Sequence, residues 1–366
     1  MKKICSLLLL TLFASTSFLH SQVTTIPVIF HVVWKTAAQN IPDSCLQQQL
    51  DVLNEDFNAA NSDLWKVPAA WVPIIGNMNV NFVLASTDPS GNPTTGIERY
   101  QTATTSWTTN DAVKHVAQGG LDAWPDTSYL NIWVCNLSGG LLGYTQMPGG
   151  PSATDGVVML YNVVGRGSYA QSPYNLGRAC THEVGHWMGL RHMGPDASCA
   201  DVDGIADTPP FSTTSIYGGF APFTVITDNC TPNAPGIMWM NFMSYVDDSS
   251  MVFFTQEQTD TMMWYLVNMR MMGPSGIHSH DLNAANMNIF PSPSTDGHFN
   301  FSRTNAEAEL SVYVYDATGK LVAQLPMVKQ DERHAEFDLS SLASGIYSVV
   351  LTSTDGRETI RVAITK

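Results

Sequence analysis

Residues 182–192 read HEVGHWMGLRH, which puts three imidazoles and a carboxylate into one short stretch. On a helix of about 100° per residue, His182 and His186 lie one turn apart on one side, and Cys180, Val184, Trp187 and Met188 share an apolar face opposite. Two imidazoles so placed converge on one metal ion, which is the physical content of an H-E-x-x-H spacing. Gly189 permits a positive φ that turns the chain out of the helix, so that His192 returns as a third ligand. Three protein ligands leave one tetrahedral position for water, the arrangement of a catalytic rather than a structural zinc site. Glu183, one residue beyond the first ligand, reaches that water and not the metal. It is placed to take the proton as water attacks a carbonyl and to pass it to a leaving amine. The motif thus predicts a zinc-dependent hydrolase of peptide bonds. The alternative is a secreted binding or adhesion protein with a structural zinc site, in which Glu183 has no purpose.

A helix over residues 175–190 needs a sheet to lie on. Strand character marks residues 26–34 (IPVIFHVVW), 80–84, 130–135, 144–147 and 157–161, separated by Gly, Pro and Asn turns. His31, inside the first of these, reads as a hydrogen-bonded core residue. Ser44 and Gln47 have capping-box spacing ahead of Leu46, Leu50, Leu53 and Phe57, an amphipathic helix. Thr255 and Gln258 cap a further helix through Met272. Strands mixed with helices in this way predict an α+β unit. Residues 273–286 lack an apolar period and read as a linker. From 287 to 366 the pattern is short strands with turn signals at residues 317–319 and 355–356, a small all-β sandwich.

The 366 residues carry 17 basic and 32 acidic side chains, a net charge of −15, with no basic run to track a phosphate backbone; nucleic acid is not an expected partner. The start, MKKICSLLLLTLFASTSFLHSQ, has the charged, apolar and small-residue regions of a secretory signal peptide over residues 1–21. No transmembrane segment is expected in the mature chain. Of six cysteines, loss of Cys5 with the signal leaves an odd set of five in an exported, disulfide-permissive chain. Cys199 and Cys230, both in a loop rich in Gly, Pro and Asp, are the preferred pair. The same loop offers Asp201, Asp203 and Asp207 near Gly204, hard oxygen donors suited to calcium.

The full H-E-x-x-H-x-x-G-x-x-H pattern followed by NFMSY resembles the metzincins, whose Met-turn lies beneath the zinc site. That resemblance makes Met243 the Met-turn residue and Tyr245 a tyrosine that helps stabilise the transition-state oxyanion. Within metzincins, LDVLNEDFNAAN, DPSGNPTTGIERY, GYTQMPGG, DGVVMLYNVVG and DGIADTPP, with the segments above, resemble the pappalysin family of ulilysin-like enzymes over roughly residues 26–270. The resemblance implies a metzincin-like catalytic domain over 22–272, with a mixed twisted five-stranded sheet and an active-site helix. It also implies that GYTQMP is the edge strand on which a protein or peptide substrate pairs, and that calcium binds near the Asp201 loop. Some relatives prefer arginine at the cleaved bond, for which Asp260 is a carboxylate to weigh against an exposed helix position. Relatives with a pro-segment block zinc with its cysteine; here the first strand follows the signal closely, and Cys45 lies within the catalytic region. The tail, through IFPSPSTDGHFNFS, VYDATGKLV, LSSLASGIYSVVLTS and RVAITK, resembles a type IX secretion sorting domain. It implies the secretion machinery as a partner, export through the periplasm of a Gram-negative bacterium, and a secreted or cell-surface location.

Overall fold

Eleven residues rich in β-branched and aromatic side chains, Thr24–Trp34, form strand β1 at the centre of the sheet, and Leu130–Cys135 form β4 beside it with all six residues buried. The computed structural model describes residues 23–193, 199, 203–211, 216–272, 287–291, 294–303, 311–316, 320–326, 328–329, 334–353 and 356–366. The expected signal peptide, Asp201, the linker 273–286 and the turn residues 317–319 and 355 lie outside the described residues. Strands β2 (Val80–Leu84), β3 (Ile97–Gln101), β5 (Gly143–Thr145) and β6 (Val157–Leu160) complete the sheet in the order β2-β1-β4-β6-β5. All of its ladders are parallel except β5 on β6, so the sheet is mixed. β3 adds a sixth strand to the expected five. It pairs with residues 30–34 of β1 on the edge that β2 leaves after residue 28, so the sheet gains length and not width.

Both faces of the central strands are covered, as parallel strands require. On one face Phe30, Val32, Ile132 and Met159 pack with Leu46, Leu50 and Leu53 of helix α1 (Asp43–Phe57) and with Val184 and Trp187 of helix α2 (Arg178–Trp187). On the other, Val33, Trp133 and Val158 meet Trp107 and Val113. Each such side chain contributes about 1.5–3 kcal/mol on burial. His31 is fully buried there, stacked on Trp133 and bonded to Glu98 and Asn131, a core histidine.

Helix starts differ in part from their expected caps. α1 begins after Pro42, whose extended backbone serves as N-cap without a side-chain bond; Ser44 falls inside the first turn and Gln47 donates to Asp51 instead. Helix α3 (Gln256–Asn268) has the expected reciprocal box between Thr255 and Gln258 but ends four residues short of Met272. α2 is shorter than expected because Gly177, at φ 78°, blocks helix ahead of Arg178.

Beyond the linker, β7 (Met287–Phe290), β8 (His298–Arg303), β9 (Ser311–Tyr315), β10 (Leu321–Pro326), β11 (Val328–Lys329), β12 (His334–Asp338), β13 (Gly345–Ser353) and β14 (Gly356–Ile364) make two antiparallel sheets, β10-β9-β13-β14 and β11-β12-β8-β7. Phe299, Val312, Val314, Val349 and Val362 fill their own core, the expected all-β arrangement.

Candidate active site

α2 is fixed at both ends by buried charge. Arg178 at its first turn makes a two-pronged ion pair with Asp63 and donates to the carbonyls of Asp248 and Met251. Thr181 donates to Asp56, and Gln49 donates to the Gly177 carbonyl, so α1 holds the same end. At the far end the Arg270 guanidinium lies 3.9 Å over the Trp187 ring, and Asp155 accepts both from it and from the indole N–H of Trp187.

On this platform the Nε2 atoms of His182, His186 and His192 come within 2.8–3.1 Å of one another. Their outer nitrogens are all engaged: Nδ1–H of His182 donates to the Phe242 carbonyl and Nδ1–H of His186 to the Leu190 carbonyl, both at 2.7 Å. A carbonyl can only accept, so in both rings the proton sits on Nδ1 and the Nε2 lone pair points inward. His192 Nδ1 meets the Tyr245 hydroxyl at 2.7 Å. Burial lowers all three imidazole pKa values, with neighbouring imidazoles adding to the shift at His182 and His192, the latter to about 3. Three neutral imidazoles with converging lone pairs repel one another unless a cation sits between them, and this donor set fits zinc. Among the described residues no other group of three or more His, Cys, Asp or Glu lies close enough to hold a metal ion.

Gly189 has φ 91°, the expected turn that returns His192. Beneath the histidines, Met243 is fully buried, and a Cβ on Gly185 would stand 2.7 Å from its sulfur. Gly185, the first of the two glycines in HEVGHWMGLRH, thus leaves the space that the Met243 sulfur fills. Glu183 is half-buried beside the triad; desolvation raises its pKa to about 7, and a cation alongside would pull that down. Its Oε2 accepts a 2.7 Å bond from the Thr145 hydroxyl. The Tyr245 ring lies 4.6 Å from that of His192, so the structure gives this hydroxyl a ligand-holding bond in addition to the expected place beside the site.

The histidines and Glu183 open onto a cavity of about 380 Å³, walled by Leu142, Tyr174, Tyr217, Tyr245, Asp248 and Met251. Asp248 was not singled out by its sequence, although it follows NFMSY by three residues. It is fully buried, one oxygen accepting from the N–H groups of Leu176 and Arg178 and the other without a hydrogen-bond partner among the described residues. Burial raises its pKa to about 6 against those donors. Asp260, by contrast, is exposed on α3, takes a bond from Gln256 and does not line the cavity. Cys199 and Cys230 form a disulfide, as expected, while Cys45, Cys135 and Cys180 are free and buried. Asp203 accepts from Thr208 and the Ile205 N–H, and Asp207 accepts from Thr255 and the Glu257 N–H. The two described members of the expected calcium set are thus already bonded within the chain.

Residues 110–267 match the model of the peptidase family described as pregnancy-associated plasma protein-A, and residues 288–365 match a secretion system C-terminal sorting domain. An extracellular metalloprotease of the fungus Colletotrichum graminicola is 34% identical over 248 residues, covering 65% of this chain and 74% of its own. Among solved structures, mature mirolysin of Tannerella forsythia in complex with a cleaved peptide is 43% identical with a TM-score of 0.67, covering 70% of this chain and 97% of its own. A promirolysin mutant from the same organism is 42% identical with a TM-score of 0.66, over 69% of this chain and 85% of its own.

Proposed function

The chain belongs to the pregnancy-associated plasma protein-A family of metalloproteases and is an exported metalloprotease, and we propose that it is a zinc endopeptidase in which Glu183 is the general base. The observation that carries this reading is the convergence of three Nε2 atoms within 3.1 Å of one another beside a half-buried glutamate. His182, His186 and His192 would hold the zinc, which would supply Lewis acidity for hydrolysis of the peptide bond. Glu183 takes the proton of the attacking water and returns it to the leaving amine. Tyr245 holds His192 and, from the same place, donates to the oxygen on which charge develops. The substrate runs as an added strand along β5, whose outer edge carries no other strand among the described residues. A side chain next to the cleaved bond enters the cavity that Asp248 closes. A buried carboxylate oxygen without a hydrogen-bond partner among the described residues, on a residue that lines the same cavity as Tyr174 and Tyr217, suits a cationic group, so cleavage beside arginine or lysine is the expected preference.

Catalytic residues 22–272 and sorting residues 287–366 divide the work. The tail addresses the chain to a secretion apparatus across the periplasm of a Gram-negative bacterium, and no described helix is long and apolar enough to cross a membrane. Calcium at Asp201, Asp203 and Asp207 rests on one supporting feature: burial and the nearby Asp207 charge raise the Asp203 pKa to about 6, a cost that a cation would relieve. Calcium added to chelated protein should then raise the Tm, and an unchanged Tm retires that site.

The main test is Glu183→Ala. The variant should bind one zinc and lose all cleavage of casein, with zinc restoring activity to chelated parent but not to the variant. Retained cleavage removes Glu183 as the base. Profiling a peptide library with the parent and Asp248→Asn checks the pocket: the basic preference should weaken in the variant, and an unchanged profile assigns specificity elsewhere.

A further inference from the structure

Strand β5 is only three residues long, yet two of them touch the catalytic glutamate. Its pairing with β6 fixes which groups face outward. The Leu142 carbonyl accepts from the Leu160 N–H and the Gln146 N–H donates to the Gly156 carbonyl, so the even-numbered residues turn their backbone towards β6. Alternation along an antiparallel strand then turns the N–H and C=O of Gly143 and Thr145 to the free edge. The side chains alternate as well. Tyr144 turns to the far face, where its ring lies 5.1 Å from the buried Lys114 ammonium, whereas Gly143 and Thr145 face α2. A Cβ on Gly143 would stand 2.8 Å from Glu183 Cγ, so the strand lies directly on the glutamate side chain. The Thr145 hydroxyl is 2.7 Å from Glu183 Oε2 and 3.0 Å from the Glu183 carbonyl, and its one proton goes to the nearer, charged acceptor.

We infer that Thr145 is a positioning residue that joins substrate pairing to the base: its backbone faces the strand position of the substrate while its hydroxyl fixes the Glu183 carboxylate. This rests on the reading of Glu183 as general base. With Oε2 held by Thr145, the other oxygen is left for water, and the carboxylate cannot rotate away when a substrate strand loads the edge. Gly143 is the space that makes the contact possible. Because the peptide groups of Thr145 survive any side-chain change, substrate pairing persists without the hydroxyl while the aim of the base is lost.

The test compares Thr145→Val and Thr145→Ser in the full chain by steady-state cleavage of one peptide, with zinc content and Tm measured alongside. Valine should lower kcat by about 10- to 100-fold, the range for removing a hydrogen bond that orients an active-site ligand, and leave KM and zinc content unchanged. Serine, which restores the hydroxyl, should recover kcat to within about threefold of the parent, since the orienting bond is remade. Thr145→Ala removes the hydroxyl without a new methyl and must give the valine result should valine disturb packing. Near-parental kcat in both valine and alanine variants overturns the proposal, as does a serine variant no better than valine or a rise in KM that accounts for the loss. Glu183→Gln in the same series separates the two readings. If it stays active the base assignment fails, and if it is dead while valine is fully active only the positioning role fails.

Discussion

Tyr245 and Gly189 show how much of the site depends on single atoms. The Tyr245 hydroxyl faces His192 Nδ1 at 2.7 Å, which holds the tilt of the last proposed zinc ligand. Tyr245→Phe should lower zinc affinity about tenfold to a hundredfold, by the usual cost of deleting a bond behind a ligand. Competition against a chelating dye reads this directly. A kcat loss with unchanged zinc affinity would instead place the hydroxyl's work wholly on the developing oxyanion. Gly189 is constrained twice, by φ 91° and by the Tyr265 ring, 2.2 Å from where a Cβ would stand. Gly189→Ala should cost about 2 kcal/mol or more through left-handed strain and overpacking, seen as a lower Tm and weakened zinc binding. A Tm equal to that of the parent would mean that the turn carries no such constraint.

Among the elements, α2 depends most on contacts distant in sequence. Arg178 is buried between Asp63, Asp56 and the carbonyls of Asp248 and Met251, so Arg178→Ala strands at least one carboxylate and should cost about 3–5 kcal/mol. Burial works against the Asp63 carboxylate, but hydrogen bonding and charge from Arg178 outweigh it and hold its pKa well below the unfolded 3.8. A depressed acid stabilises fully above its unfolded pKa, and that stabilisation is lost as pH falls below it. The parent should therefore lose Tm more steeply than Asp63→Asn on acidification below pH 3.8, and parallel Tm curves would dismiss the linkage. The convergence of His182, His186 and His192 was legible in sequence because it is local: one helical turn and one glycine bring the three rings together. Asp248, Thr145 and Asp63, the partner of Arg178, were not, since each reaches α2 from another part of the chain. β3 was missed for another reason. Its residues are half-buried or exposed, so Ile97–Gln101 lacks the apolar alternation that reveals a strand.

For the whole molecule the question is whether catalysis needs the tail. The catalytic core draws on residues from Ile26 to Met272 and the tail core on residues from Phe299 to Ile364, with no side chain in common. Units that share no core fold and unfold separately. Between the last catalytic helix and the tail the rings of Trp264 and Tyr315 meet at 5.1 Å, and contacts between domains with separate cores resemble those of transient interfaces. A chain cut after Met272 should keep its kcat/KM within about twofold and its catalytic Tm within a few degrees, because half-buried Trp264 loses the Tyr315 ring and keeps that of Tyr265. In the export host the same cut should leave active enzyme inside the cell, while the parent reaches the medium or the surface. Loss of activity in the purified truncated chain would mean that the tail completes the catalytic fold, and the division at residues 273–286 would then have to be withdrawn.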